Sequence, residues 1–242
     1  MPPRKILAIG LIFIALLMIM GVLILLEPEW LIATLKKRSP EVLYEIDTQE
    51  HIVALTIDDG PDPDTTPEIL DRLRQYGAHA TFFLIGDRIP DNEDLVHRMV
   101  KENHELANHL MTDQPSIRLN LEDFEQQLSK SHEILSEFSE IRWFRPGSGW
   151  YNSDMLSIIQ KYDYQCALGS VYPFDPQLGS SWFTTRYVLW KVKPGSIIVL
   201  HDFDSRGERT AVALDTILPE LTRRGYSVVT LSELVDSQSN GE

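Results

Sequence analysis

The adjacent carboxylates of Asp58 and Asp59 are the residues of this chain whose type and position most directly suggest chemistry. They end an apolar run, residues 52–57, that reads as a short buried strand and opens into Gly60-Pro61. Strand ends of this kind carry the functional residues of α/β folds. Because side chains alternate faces along a strand, one carboxylate could bind a metal ion while the other exchanges a proton. The alternative is a polar turn without further function.

A second group offers further metal ligands. His109 and Asp113 are four residues apart, so on a helical turn their side chains would point the same way. With Asp59 they make a carboxylate–imidazole–carboxylate set that leaves coordination positions open for water, which is typical of a catalytic metal site. Alternatively, His109 is a hydrogen-bonded core residue and Asp113 a turn residue before Pro115.

Two more polar residues follow apolar runs. Arg145 comes after Trp143-Phe144, and a guanidinium there can hold a carboxylate through two hydrogen bonds. His201 follows four apolar residues, and its unperturbed pKa lies near neutrality, so that it could act as a general acid. The alternatives are a surface salt bridge for Arg145 and a capped core histidine for His201.

Strand-like and helix-like segments alternate from residue 51 onward, which predicts a parallel sheet, open or closed into a barrel. The C-terminal ends of parallel strands share one face, so the polar clusters above are expected to converge. The predicted strands are 51–57, 79–85, 104–107, 141–144, 164–168, 196–200 and 226–230. The predicted helices are 66–76, 93–102, 121–137, 153–161 and 209–224.

The N-terminal part differs in composition from the rest. Residues 6–26 are uncharged and mostly apolar, long enough to span a bilayer as a helix. A cleaved signal peptide is the alternative, but its apolar region is shorter and ends in small residues. We therefore predict a membrane anchor at 1–26, a linker at 27–50, a folded domain at 51–236 and a disordered tail at 237–242. Basic residues flank the apolar run on both sides, so charge does not orient it.

Composition limits the classes of partner. The chain has 242 residues and a formal net charge of −14, which argues against nucleic acid because a phosphate backbone requires a basic surface. Cys166 is the only cysteine, so an intrachain disulfide is impossible.

Four motifs together resemble a known family, the polysaccharide deacetylases with a NodB homology domain, carbohydrate esterase family 4. The resemblance covers roughly residues 50–236. The motifs, in chain order, are Thr56-Ile57-Asp58-Asp59-Gly60-Pro61, Asn108-His109 with Asp113, Arg145-Pro146-Gly147-Ser148-Gly149-Trp150-Tyr151-Asn152, and Leu200-His201-Asp202.

The resemblance implies a fold and an activity. The fold is α/β, a distorted (β/α) barrel of about seven parallel strands, here preceded by the predicted transmembrane helix. Members of the family remove acetyl groups from N-acetylglucosamine in chitin, chito-oligosaccharides or peptidoglycan, and a few deacetylate xylan. The implied cofactor is a divalent metal, Zn²⁺ or alternatively Co²⁺ or a harder ion. The implied partner is an N-acetylated glycan, which places the domain on the extracytoplasmic side of a membrane.

The resemblance also implies roles for individual residues. By motif position, Asp58 resembles the general base and Arg145 the residue that tethers it. Asp59 and His109 resemble metal ligands, and His201 resembles the general acid.

The third motif contributes the remaining predicted contacts. The backbone N–H of Ser148 falls where the family places an oxyanion donor. Trp150 and Tyr151 of the same motif are predicted to contact the substrate.

Two positions depart from the family pattern. Asp113 stands where the family has a second metal-binding histidine; a carboxylate can bind zinc, but its charge favours a harder ion. The family's Asp-rich motif before the final histidine is absent, and we predict that Asp175 orients His201 instead. These departures keep one alternative open, a membrane-tethered glycan-binding protein without turnover. Because members of the family vary in substrate, a related hydrolase of another C–N (non-peptide) bond is a further alternative.

Overall fold

The computed structural model describes residues 29–239, together with residues 10–16, 18 and 21. The chain divides into two compact units, Met1–Pro40 and Glu41–Glu242. The first unit contains helix α1, Glu29–Arg38, whose last turn carries three basic residues. The second unit contains the sheet and every predicted site residue.

The structure corrects the prediction of a membrane anchor. Among the residues that the structure describes, no helix has both the length and the apolar character required to cross a bilayer. This finding contradicts the predicted single-pass membrane localisation with an extracytoplasmic catalytic domain. The prediction counted apolar residues, and such a run reaches across a bilayer only as one continuous helix. Most of residues 6–26 lies outside the described residues.

A parallel sheet forms the framework of the second unit, as predicted. Its strand order is β1-β6-β5-β4-β3-β2-β7, and β8 pairs with the N-terminal part of β2. The strands are β1 Val42–Leu43, β2 Ile52–Asp58, β3 Thr81–Leu84, β4 Glu105–Asn108, β5 Trp143–Phe144, β6 Gln165–Ala167, β7 Ile197–His201 and β8 Ser227–Val229.

The sheet curves into a distorted barrel. Val171, on the segment after β6, forms a parallel bridge with Ile198 of β7, and the N–H of Val199 donates to the carbonyl of Val171 at 3.0 Å. This bridge joins the segment after β6 to β7, the strand at the far end of the order. Strand β2 is mostly apolar and buried from Val53 to Asp58, which is the pattern of a parallel strand covered on both faces.

Helices connect most of the strands. They are α2 Thr66–Tyr76, α3 Glu93–Lys101, α4 Leu121–Leu135, α5 Ser153–Lys161, α6 Asp175–Leu178, α7 Ser181–Lys191, α8 Asp204–Arg223 and α9 Leu231–Ser239. Helix α2 ends at Gly77, whose φ of 61° gives the left-handed cap that glycine adopts without strain.

Parts of the predicted linker and of the predicted tail form regular secondary structure. Residues 42–46 of the predicted linker belong to the barrel, because β1 pairs with β6 and the alternate side chains of Val42, Tyr44 and Ile46 are buried. This two-residue period is a strand signal that the surrounding acidic residues obscure. At the other end, residues 237–239 of the predicted disordered tail continue helix α9, and residues 240–242 lie outside the described part.

Candidate active site

Strand ends of the barrel deliver polar side chains to one groove of about 670 Å³. The parallel register explains the convergence, because Asp58 at the end of β2 pairs with His201 at the end of β7. Across the sheet, Arg145 follows β5 and its N–H donates to the carbonyl of Asn108, next to His109. The predicted residues that line the groove are Asp58, Asp59, His109, Asp113, Arg145, Ser148, Trp150 and His201.

The Arg145 guanidinium holds the Asp58 carboxylate. Nη1 donates to Oδ1 at 2.5 Å, and both side chains are about 95 % buried. The other donors are engaged as well, since Nε donates to the carbonyl of Ala167 at 2.9 Å and Nη2 to that of Leu168 at 2.5 Å. Burial lowers the pKa of Arg145, and the charge of Asp58 opposes that effect. With its donors committed on several sides, the guanidinium fixes the carboxylate in one orientation.

Asp59 and His109 form a second pair, with Oδ1 and Nε2 separated by 3.6 Å. His109 Nδ1 lies 2.7 Å from the carbonyl of Arg145. A carbonyl only accepts hydrogen bonds, so Nδ1 carries a proton and Nε2 is the ring nitrogen that faces the carboxylate; when the ring is neutral, that nitrogen offers a lone pair. Burial raises the pKa of Asp59, although nearby histidine charges oppose it. Two electron-pair donors that face each other in this way suit a divalent cation.

Asp113 is not positioned to bind a metal ion together with Asp59 and His109. Its Oδ2 accepts hydrogen bonds from Arg206 Nη2 at 3.1 Å and Arg88 Nη2 at 3.3 Å, and its side chain is 42 % exposed. Within the described residues, no group of three His, Cys, Asp or Glu side chains is placed to hold one metal ion. Burial raises the pKa of Asp113, but the hydrogen bond and charge of Arg206 lower it overall. Two guanidinium groups neutralise the negative charge of this carboxylate, and this explains why Asp113 does not join Asp59 and His109.

The imidazole of His201 lies against the carboxylate of Asp175. Nδ1 is 3.1 Å from Oδ1 and 3.0 Å from Oδ2, and the His201 backbone N–H also donates to Oδ2. Asp175 begins helix α6 and is almost completely buried. Burial lowers the pKa of His201, but the charge of Asp175 and its hydrogen bond outweigh burial and raise that pKa to about 9. The ring is therefore a cation at neutral pH in this arrangement.

The third motif turns sharply at the rim of the groove. Ser148 lines the groove and has a φ of 60°, a left-handed conformation that is uncommon outside glycine. Trp150 also lines the groove and is 67 % exposed. Tyr151 lies elsewhere: its hydroxyl is 2.9 Å from that of Tyr44, and it is absent from the described lining of the groove. The structure thus brings two of these three predicted residues to the groove.

The sequence prediction missed several residues of the site. Arg206 donates to both Asp59 and Asp113, and Arg88 donates to the backbone carbonyl of Asp59 at 2.6 Å. Arg206 lies in the first turn of α8, which begins five residues earlier than predicted. Its position five residues after His201 was the available signal. Tyr172, also missed, packs edge-on against His201 with ring centroids 5.8 Å apart.

Comparisons with known proteins confirm the family that the sequence motifs indicated. The sequence profile of the family described as polysaccharide deacetylase matches residues 45–167. A peptidoglycan-N-acetylglucosamine deacetylase from Bacillus cereus is 37 % identical over 201 residues, covering 80 % of this chain and 92 % of that protein. A chitooligosaccharide deacetylase from Bradyrhizobium sp. is 35 % identical over 196 residues, covering 75 % of this chain and 90 % of that protein.

A solved structure extends the likeness to three dimensions. It is a peptidoglycan N-acetylglucosamine deacetylase in complex with 4-naphthalen-1-yl-N-oxidanyl-benzamide, with a TM-score of 0.76 and 31 % sequence identity. The match covers 80 % of this chain and 92 % of that one. This chain is therefore a member of the polysaccharide deacetylase family, the carbohydrate esterases of family 4 that carry a NodB homology domain.

Proposed function

We propose that this protein hydrolyses the acetamide of N-acetylglucosamine units in a glycan and releases acetate. The observation that carries the proposal is the pairing at two adjacent strand ends. A buried carboxylate, Asp58, is held by Arg145, and a buried imidazole, His201, is held by Asp175, and both face one groove. Hydrolysis of an amide requires a base for the attacking water and an acid for the leaving nitrogen, and these two groups fit those tasks.

The proton transfers can be assigned to named atoms. Asp58 accepts the proton of the attacking water as the new C–O bond forms at the acetyl carbon. The backbone N–H of Ser148, on the groove wall, donates to the developing oxyanion, a contribution of about 3 kcal/mol for one such donor. The His201 imidazolium then gives its proton to the glucosamine nitrogen as the C–N bond breaks. The products are acetate and a free amine.

A divalent metal, with Zn²⁺ as the first candidate and Co²⁺ the second, forms part of the proposal. The facing Asp59 carboxylate and His109 Nε2 fit such an ion, whereas Asp113 in its present hydrogen bonds does not. When bound, the ion supplies a Lewis acid for the acetyl carbonyl and lowers the pKa of a coordinated water. His109 would serve it by keeping its proton on Nδ1, which donates a hydrogen bond to the Arg145 carbonyl and leaves Nε2 for the ion.

The glycan is proposed as the substrate from the relatives and from the rim of the groove. The relatives named above act on peptidoglycan and on chito-oligosaccharides. Trp150 exposes its ring at the groove, where an indole can stack on the apolar face of a sugar. Both polymers contain N-acetylglucosamine, so the shared unit is the substrate that we propose.

The test is acetate release from N-acetylated chito-oligosaccharides and from peptidoglycan, measured side by side with Zn²⁺ or Co²⁺ present. We expect release by the wild-type protein and its loss in Asp58→Asn. Asp154→Asn is the matched control, because Asp154 is an exposed carboxylate on α5. Full activity in Asp58→Asn would reject the assignment of the base.

The same assay separates the two alternatives. A glycan-binding protein without turnover would retain the oligosaccharide and release no acetate. A hydrolase of another C–N bond would release none from either glycan and would act on other acylated amines. Acetate release from either glycan excludes both.

A further inference from the structure

We propose that Arg206 is a built-in cation that competes with the divalent metal for the carboxylates of Asp59 and Asp113. The inference rests on the metal site that is part of the proposed function, and it concerns the affinity of that site for the divalent ion. A metal ion would gain the full charge of this pair of carboxylates only after the Arg206 guanidinium has moved away.

The contacts of Arg206 span the space between the two carboxylates. Nη1 donates to Oδ2 of Asp59 at 2.7 Å, and Nη2 donates to Oδ2 of Asp113 at 3.1 Å. The remaining oxygen of Asp59, Oδ1, is the one that faces His109. A planar guanidinium matches two carboxylate acceptors in a fixed geometry, and charge-assisted hydrogen bonds of this kind are the strong ones.

The charges around Asp59 and Asp113 already balance. The two carboxylates carry two negative charges, and the guanidinium groups of Arg206 and Arg88 supply two positive charges. Asp58 and Asp175, the other carboxylates described above, have their own cationic partners. A divalent ion that arrived while Arg206 stayed in place would therefore meet repulsion from a cation and little uncompensated negative charge.

The backbone before Arg206 is shaped to aim this side chain into the groove. Phe203 has a φ of 139° and Asp204 a φ of 50°, both in the region that favours glycine. Strained residues of this kind persist where the surrounding structure requires them, and they cluster at functional sites. Gly207 then lets α8 approach Thr65 closely, because an added Cβ would lie 2.2 Å from the Thr65 hydroxyl. The fold thus specifies where the first turn of α8 presents Arg206.

The side chain of Arg206 can leave its position more easily than the carboxylate of Asp59. The Arg206 side chain is 24 % exposed, whereas that of Asp59 is only 4 % exposed. A long side chain at a helix start can swing toward solvent by changing rotamers, but the buried carboxylate cannot. The metal then binds only the fraction of molecules in which Arg206 is withdrawn, and its apparent affinity falls by that fraction.

The test is the affinity for Co²⁺, measured by isothermal titration calorimetry on chelator-treated protein without substrate. We expect Arg206→Met to bind Co²⁺ about tenfold more tightly than the wild-type protein. Arg223→Met is the matched control, because Arg223 lies on the same helix, pairs with Glu220 and is 72 % exposed. It removes the same charge from the protein and is expected to leave the affinity unchanged.

Equal affinity in Arg206→Met and wild type would overturn the inference, and so would equal gains in Arg206→Met and Arg223→Met. If Arg206→Met does not fold, Arg206→Lys replaces it, and its affinity is expected to lie above that of the wild type because one ammonium cannot bridge both carboxylates. Absence of Co²⁺ binding in every variant also overturns it. Acetate release is measured separately, so a failed competition and a failed deacetylase assignment are distinguishable.

Discussion

The groove has two halves that neutralise their carboxylates differently. In one half, Asp58 is paired with the buried Arg145, whose donors are committed inside the protein, and Asp175 is paired through Nδ1 of the buried His201. In the other half, Asp59 faces His109 and shares the half-buried Arg206 with a carboxylate that is 42 % exposed.

The difference follows the tasks proposed for each half. Proton transfer gains from groups held in one geometry, because reorganisation during the reaction adds to the barrier. A site that takes up a cation must instead keep its ligands available and exchange one positive charge for another. Fixed pairs suit the first task, and a movable arginine suits the second.

The largest effect is expected from Arg145→Met, which removes the partner of Asp58 in the half of the groove with the fixed pairs. The variant leaves the Asp58 carboxylate buried without its cation, which costs about 3–5 kcal/mol of folding free energy. We also expect acetate release to fall by about 10³-fold, since the base loses its orientation. Denaturant unfolding and acetate release measure the two losses. A loss below about 1 kcal/mol would show that Asp58 is not held as the geometry indicates.

Asp175→Asn tests the second fixed pair through pH. In the wild type the acid form of His201 persists up to about pH 9, so kcat/KM should fall as pH rises through that value. Without the carboxylate, burial lowers the pKa of His201 against the weaker effect of the Asp58 and Asp59 charges, and this alkaline limb should move to lower pH. Activity at pH 8 should fall by about 10²-fold. An unchanged alkaline limb in the variant would remove Asp175 from its proposed role.

Trp150→Ala tests whether the exposed rim of the groove binds the sugar. Stacking of an aromatic ring contributes about 0.5–1.5 kcal/mol, so KM for a chito-oligosaccharide should rise roughly twofold to tenfold. We expect kcat to change little, because the indole is not placed to exchange a proton. Steady-state kinetics separate the two constants. A fall in kcat at constant KM would contradict a binding role.

The smallest effect is expected from Arg88→Met, another arginine-to-methionine substitution, made in the half of the groove that contains Asp59 and Arg206. Arg88 binds Asp113 and the Asp59 carbonyl, and its guanidinium lies 3.5 Å from the centre of the Phe203 ring. Asp113 keeps Arg206 and contact with water, so we expect a loss of about 1 kcal/mol in unfolding free energy. A loss as large as that of Arg145→Met would erase the distinction between the halves.

Much of the fold was predictable because it depends on local patterns. The seven predicted strands all appear, since apolar runs bounded by turns persist in any context that buries them. Strand β1 was missed because it has only two residues and acidic neighbours. Helix α7 was missed because its aromatic residues do not follow a helical period, and Trp182 and Trp190 remain exposed.

The site was predictable where one residue acts through its own chemistry at a strand end. Asp58, Arg145 and His201 follow apolar strands, and parallel strands bring their ends together. Tyr151 was placed in the groove by its neighbourhood in sequence, yet it points to Tyr44 on the segment after β1. The direction of a loop side chain depends on distant partners that a motif does not contain.

By itself, the sequence determined which groups this protein has available: two carboxylates at one strand end, an imidazole and a guanidinium at others, and the family to which they belong. Only the tertiary structure decided how those groups are paired. Arg206 reaches Asp59 across 147 positions of the chain because β7 lies beside β2 and α8 starts where β7 ends. Charge pairing depends on distance in space, and distance along the chain does not report it.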